Sequence, residues 1–490
     1  MIIMKKALFS FLLITMSWIS AHAQNRIRVS LGNDLKGPYT GTLLVYTLKD
    51  TSKQFGASAS EEEAAFSMNV SNWKNGEIKE ISKEANALNV KLADLSPGYY
   101  KLIAILDTNL RERGKMAPGN LFTRKEAIMK VAEGAENTAE LVLSHAFPVR
   151  PFPGNDSIRE ISLASPLLTA FWKYPVEMKA AVVLPSGYQK DKDNTYPVVF
   201  IIPGWGGTHH QALSAGARKS YGISTGKEKI YVFLNPETQS PYGLHGYVDS
   251  RVNGPWGKAL IEELMPFMQK TYRASADPAL NFLMGQSTGG YAAVWLALNY
   301  PGHFGGAWAS APDPLDFSSF IGIDLYKDGN YYTDEKGQER GFYKVNGKFM
   351  STLRKIHDLE VFEGDGGQQQ SFEAEFGKPG YFGRPQRLFD RITGKIDKSI
   401  VKSWKQYDLA SYVKSNAAKL KQTLKGPVHV YVGENDNFQL NESALLFGEK
   451  IKSLKLPINV EIVPGADHFN VRNAAVIEQI QQEIDRQIQK

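Results

Sequence analysis

The chain has 490 residues, 57 Lys and Arg against 51 Asp and Glu, a formal charge of +6, and no cysteine. That length predicts two domains rather than one. The absent cysteine excludes disulfides, thiolate nucleophiles and cysteine-bound metals, and basic residues scattered without a dense tract give nucleic-acid binding no support.

The first residues read as a secretory signal. Lys5 and Lys6 precede an apolar core from Ala7 to Ile19, and Ala21-His22-Ala23 is a small-x-small cleavage site. Residues 1–23 are therefore expected to be removed, leaving an exported bacterial protein, periplasmic or secreted, that begins at Gln24. The apolar core is too short for a membrane anchor, and no later segment matches it.

Residues 24–146 read as a small β-sandwich-like domain. Arg26 to Leu31 alternates, Gly41 to Leu48 is apolar and β-branched, Asn89 to Asp107 reads as strand, Pro-Gly turn, strand, and Thr138 to Leu143 alternates again. Pro148, Pro151 and Pro153 make 147–154 a stiff linker.

Residues 155–490 alternate apolar strands with amphipathic helices, so the second domain is α/β with a mostly parallel sheet covered on both faces. Val198 to Ile202 and Tyr231 to Leu234 are continuous apolar runs. Pro255 to Tyr272 has helical spacing. Gly306 to Ser310, Val428 to Val432 and Ile458 to Val463 are further strands, with helices over Ser443 to Leu454 and Ala474 to Gln489. About 312–410 breaks the rhythm as a long insertion rich in Phe, Tyr and Trp. It follows a strand beside the motif described next, and is expected to form a cap over the site.

Leu280 to Gly285 is an apolar strand that runs into Gln286-Ser287-Thr288-Gly289-Gly290 and then a helix-forming stretch. Strand, tight turn, helix is the context of a nucleophile elbow, in which a strained turn lifts the serine above the sheet. With 43 glycines the G-x-S-x-G pattern is cheap. Gly222-Ile223-Ser224-Thr225-Gly226 also matches, but it lies in a loop before a strand, so Ser224 is read as a loop serine.

A serine hydroxyl needs a base, and the base needs an acid. After Val432 comes Gly433-Glu434-Asn435-Asp436, and after Val463 comes Pro464-Gly465-Ala466-Asp467-His468. The expected base is His468 and the expected acid Asp436, with Glu434 as its rival. The oxyanion donors are expected at the Thr288 and Trp205 backbone N–H groups, the latter in the glycine-rich loop after Ile202. Gly206, Gln286 and His209 are candidates for substrate contact. No cofactor and no metal is expected; Asp324 to Asn330 is read as a hairpin turn at Asp328-Gly329-Asn330, since Tyr326 stands where a calcium ligand is needed.

Pro203-Gly204-Trp205-Gly206-Gly207, Asp249-Ser250, Asn253 to Gly257, Gly285 to Gly290, Gly433 to Asp436 and His468 resemble the putative esterase family of α/β-hydrolases. That family includes S-formylglutathione hydrolases, feruloyl and acetylxylan esterases, enterochelin-type esterases and mycolyltransferases. It commonly has His where Gln286 stands, and His-Gly where this chain has Pro203-Gly204. The resemblance implies a serine esterase acting on polysaccharide-linked or siderophore-type esters. A secreted peptidase, an acyltransferase and an inactive glycan-binding module are the alternatives.

Overall fold

The computed structural model describes residues 25–56, 59–190, 192–240, 242–364 and 366–489. The signal-like residues 1–23 lie outside them. The chain divides into two compact units. The first takes the described residues up to Gly56, Glu62–Leu106 and Phe122–His145. The second takes the rest, so that Asp107–Leu121, from the amino-terminal third of the sequence, belongs to it.

The first unit is all β, built of two sheets. Asn25–Leu31 pairs parallel with Asn137–Leu143 and antiparallel with Ile78–Ile81. Its alternation buries Ile27, Val29 and Leu31. The hairpin expected over Asn89 to Asp107 is half present. Gly98–Asp107 is a strand, but Leu92–Asp94 is a 3₁₀ turn. Asn89 has a left-handed φ of 63°, and Asn25 donates to Leu92 O at 2.7 Å, so a side chain takes the carbonyl that a ladder would use.

The second unit is an eight-stranded sheet. Its strands are β1 (Ile158–Ala164), β2 (Glu177–Val183), β3 (Val198–Ile202), β4 (Ile230–Leu234), β5 (Asn281–Gln286), β6 (Gly306–Ser310), β7 (Val428–Gly433) and β8 (Ile458–Val463). Their spatial order is β1-β2-β4-β3-β5-β6-β7-β8, with β1 and β2 antiparallel to their neighbours and β3 to β8 parallel. The apolar runs are continuous because both faces are covered. Val198, Phe200 and Ile202 join one core, Val199 and Ile201 the other.

The helix expected from Pro255 to Tyr272 has a wide turn in its middle. Trp256–Ala259 and Met265–Tyr272 are α-helical around a π segment, Leu260–Leu264. The Met265 N–H reaches back five residues to Leu260 O. Pro266 explains this. It has no N–H for the Glu262 carbonyl, and its ring needs the room that a π turn provides.

The insertion between β6 and β7 is a folded subdomain. It holds a hairpin (Gly341–Val345 with Lys348–Thr352) and short helices, among them Gln368–Phe376. Its aromatics are mostly core. Phe317, Phe320, Phe372, Phe376 and Trp404 are buried with ring centroids 5.0 to 6.4 Å apart, and Tyr331 stacks on Phe389 at 4.0 Å. The expected Asp328-Gly329-Asn330 hairpin is absent. The turn closes earlier, with Asp328 N–H donating to Asp324 O, and Asn330 bridges to Lys395. Asp328 pairs with Arg340 at 2.7 Å. Among the described residues no cluster of His, Asp or Glu is arranged to hold a metal ion, and no helix is long and apolar enough to cross a membrane.

Candidate active site

β5 ends in a turn that only glycine-flanked sequence can make. Ser287 has φ 57° and ψ −125°, a costly conformation for a residue with a Cβ, and helix α1 (Thr288–Asn299) starts at once behind it. A Cβ on Gly285 would lie 1.9 Å from Gly289 O, and one on Gly289 would lie 1.9 Å from Ile202 O. The turn is pinned from both sides. Ser287 N–H donates to Ser310 O, and Asp313 N–H and Tyr291 N–H donate to Ser287 O. Ser224 lies in a turn after Tyr221, outside any strand-to-helix junction.

The loop after β3 reaches the nucleophile turn. A Cβ on Gly204 would stand 3.1 Å from Ser287 Cβ. Gly206 takes a φ of +74° and is exposed. The Trp205 ring is covered by Arg113, whose guanidinium lies 3.9 Å from the ring centroid and pairs with Glu237. Arg113 had no signal in the sequence, because it arrives from residues 107–121, far from every motif.

The loops after β7 and β8 bring Asp436 and His468 together. His468 Nδ1 is 2.9 Å from Asp436 Oδ2, and both side chains are buried. The other Asp436 oxygen accepts from the Phe438 and Leu440 N–H groups, which fixes the carboxylate plane. With Nδ1 donating to Asp436, Nε2 is left as the basic nitrogen. Glu434 faces away and accepts from Gly465 N–H at 2.8 Å. The insertion hairpin fastens this loop. Lys344 N–H donates to Asn437 O, the Asn437 amide donates to Lys344 O, and Asn437 Oδ1 accepts from His468 N–H.

Two candidates for substrate contact are engaged inside the protein. Gln286 Nε2 donates to His468 O at 2.9 Å, and Arg472 donates to Gln286 Oε1. The amide therefore ties the β5 turn to the histidine loop. His209 is buried, 2.9 Å from Glu160, with its ring stacked on Phe152. Burial depresses its pKa, with Glu160 opposing.

Asp313 was missed by sequence reading. It lies just after β6, buried, and no motif marks it. Ser287 Oγ donates to Asp313 Oδ1 at 3.3 Å, and Thr288 Oγ1 donates to Oδ2 at 2.7 Å. In this arrangement the serine hydroxyl is turned to Asp313 rather than to His468. Burial raises the Asp313 pKa to about 6, against the lowering effects of the Thr288 bond and His468.

These features carry two expected results. Asp436→Asn is expected to lower kcat/KM on a nitrophenyl ester by about a thousandfold or more, through loss of the histidine tautomer, while Glu434→Gln stays within about twofold. For stability, the Asp313 carboxyl titrates higher folded than unfolded, so the folded state holds the extra proton between pH 3.8 and about 6. Stability falls as pH rises through that window, and above it the charge costs on the order of 3 kcal/mol. Asp313→Asn is expected to raise the melting temperature at pH 8 and to give no gain at pH 4, as read by thermal unfolding.

An α/β sheet in the order above, with a serine elbow after β5 and a His–Asp pair after β8 and β7, defines an α/β-hydrolase. The family is also given by sequence. Residues 173–471 match the family described as "Putative esterase", more than half of the chain, and the protein belongs to it. A stretch of 137 residues is 30% identical to an endo-1,4-beta-xylanase/feruloyl esterase of Xylanibacter ruminicola, covering 26% of this chain and 18% of that protein. Among solved structures, a ferulic acid esterase is similar with 15% identity and a TM-score of 0.41 over 67% of this chain and 98% of that one. An S-formylglutathione hydrolase from Agrobacterium tumefaciens is similar with 17% identity and a TM-score of 0.41 over 69% and 97%.

Proposed function

We propose that the protein is an exported serine esterase that removes feruloyl or acetyl groups from polysaccharide. The observation that carries the mechanism is the buried His468–Asp436 pair at 2.9 Å, on loops at the same sheet end as the strained Ser287 turn. Ser287 Oγ attacks the ester carbonyl while its proton passes to His468 Nε2, and the carbonyl electron pair moves to oxygen. The Thr288 and Trp205 N–H groups hold that oxyanion. Asp436 stabilises the imidazolium, which then gives its proton to the leaving sugar hydroxyl. Water, deprotonated by His468, hydrolyses the acyl-enzyme and frees the acid.

Support for the substrate class comes from the relative named as a xylanase/feruloyl esterase, and for export from the signal-like residues 1–23. The test pairs a fluorophosphonate probe with ester hydrolysis. Labelling mapped to Ser287, with release of ferulate or acetate from arabinoxylan, is expected. Hydrolysis without a labelled Ser287 would overturn the mechanism. Turnover of nitrophenyl acetate with no release from polysaccharide would overturn the substrate.

A further inference from the structure

We propose that Asp313 is a further active-site residue, which holds the Ser287 hydroxyl in the resting enzyme and offsets the charge of His468 once the hydroxyl proton has moved there. The proposal rests on Ser287 being the nucleophile. It starts from a geometric conflict. The hydroxyl that must give its proton to His468 donates instead to Asp313 Oδ1 at 3.3 Å. The carboxylate cannot follow the hydroxyl, because Thr288 Oγ1 holds its other oxygen at 2.7 Å and its own N–H is bonded to Ser287 O at 3.1 Å.

Asp313 is thus a fixed acceptor on one side of Ser287, with His468 the mobile proton's destination. Catalysis requires the hydroxyl to rotate from the one to the other. After rotation the Oγ–H bond breaks, the proton binds His468 Nε2, and Oγ bonds to the carbonyl carbon. Asp313 neither gains nor loses a proton in this step. It is left with a free oxygen and a negative charge near a new imidazolium, in a buried setting where such a charge acts more strongly than at the surface.

The groups that face Asp313 are the Ser287 and Thr288 hydroxyls, His468, Asp436, Tyr291 on α1, and Glu375 on the insertion helix α2 (Gln368–Phe376). Glu375 accepts from Gly246 N–H at 3.1 Å, and burial keeps its pKa well above the usual carboxylate range, as the charge on Asp313 does further. Of the acids in this set, Asp436 is spent on His468 Nδ1 and two backbone N–H groups. Asp313 is the one bonded to the nucleophile.

The test is the pH profile of kcat/KM on nitrophenyl acetate. In the native enzyme the acid limb includes the loss of the Asp313 proton, since burial raises that carboxyl to about 6. Asp313→Asn removes that step and the charge that favours the imidazolium. The limb is expected to be less steep and displaced to lower pH by about half a unit or more, with kcat/KM at pH 8 down about tenfold and KM little changed. An unchanged limb with activity within twofold overturns the proposal. If this variant does not fold, Thr288→Val serves. It frees one carboxylate oxygen and removes a bond that holds the Asp313 pKa down, so kcat is expected to fall severalfold and the acid limb to move to higher pH, and kcat within twofold of native with the limb in place overturns the proposal. Fluorophosphonate labelling of the native enzyme separates the two readings. No label on Ser287 removes the nucleophile itself, whereas a labelled Ser287 with an unaltered Asp313→Asn profile removes only the role of Asp313.

Discussion

Ser287→Ala is expected to cut kcat/KM on nitrophenyl acetate by about ten-thousandfold to a millionfold, leaving only what oxyanion stabilisation and binding provide. The loss is large because no neighbour can take over. Thr288 Oγ1 is committed to Asp313, and the other G-x-S-x-G serine, Ser224, stands in a separate turn. The fold should survive. The substitution removes one hydroxyl whose single hydrogen bond goes to a carboxylate, and alanine tolerates φ 57° no worse than serine. Kinetics set beside the thermal transition of the same variant check this. Substantial turnover from a well-folded Ser287→Ala protein would remove Ser287 from the mechanism.

Gly289→Ala is expected to be among the most damaging single-methyl changes in the chain, destabilising by about 4 kcal/mol or more and giving largely insoluble protein. The added Cβ would sit 1.9 Å from Ile202 O and 2.8 Å from Pro203 O. Both are backbone atoms, one inside the central strand β3, so no side chain can swing aside. Relief would require α1 to withdraw from the sheet, and that would pull Thr288 away from Asp313. Gly206→Ala is the control. Its neighbourhood is open, so it should cost only the strain of a left-handed φ, about 1 kcal/mol. Denaturant unfolding of the two variants measures the difference.

The readable parts were those fixed by local pattern. Val198 to Ile202 announced a doubly covered strand, and Leu280 to Gly290 announced strand, turn and helix. The order of Ser287, Asp436 and His468 at strand ends followed from the same runs. Where prediction slipped, a single partner was responsible. Asn25 capturing Leu92 O turned an expected strand into a 3₁₀ turn. Pro266 widened an expected straight helix. The aromatic insertion could not be assigned from composition, because Phe376 and Trp404 look alike in sequence whether they meet substrate or each other.

The sequence by itself determined the α/β class, the strained turn at Ser287 and the strand-end loops that carry Asp436, Glu434 and His468. Strand period and glycine placement are properties of neighbouring residues. Only the tertiary structure decided which carboxylate faces which group. Asp436 and Glu434 are two residues apart with the same charge, and only the loop's path turns one to His468 and the other to Gly465. Gln286 and His209 were drawn to Arg472 and Glu160, which no local pattern links to them. Asp313 carries no motif at all. It meets Ser287 because β5 and β6 pair side by side, and hydrogen bonds between residues distant in the chain follow from how the strands are arranged.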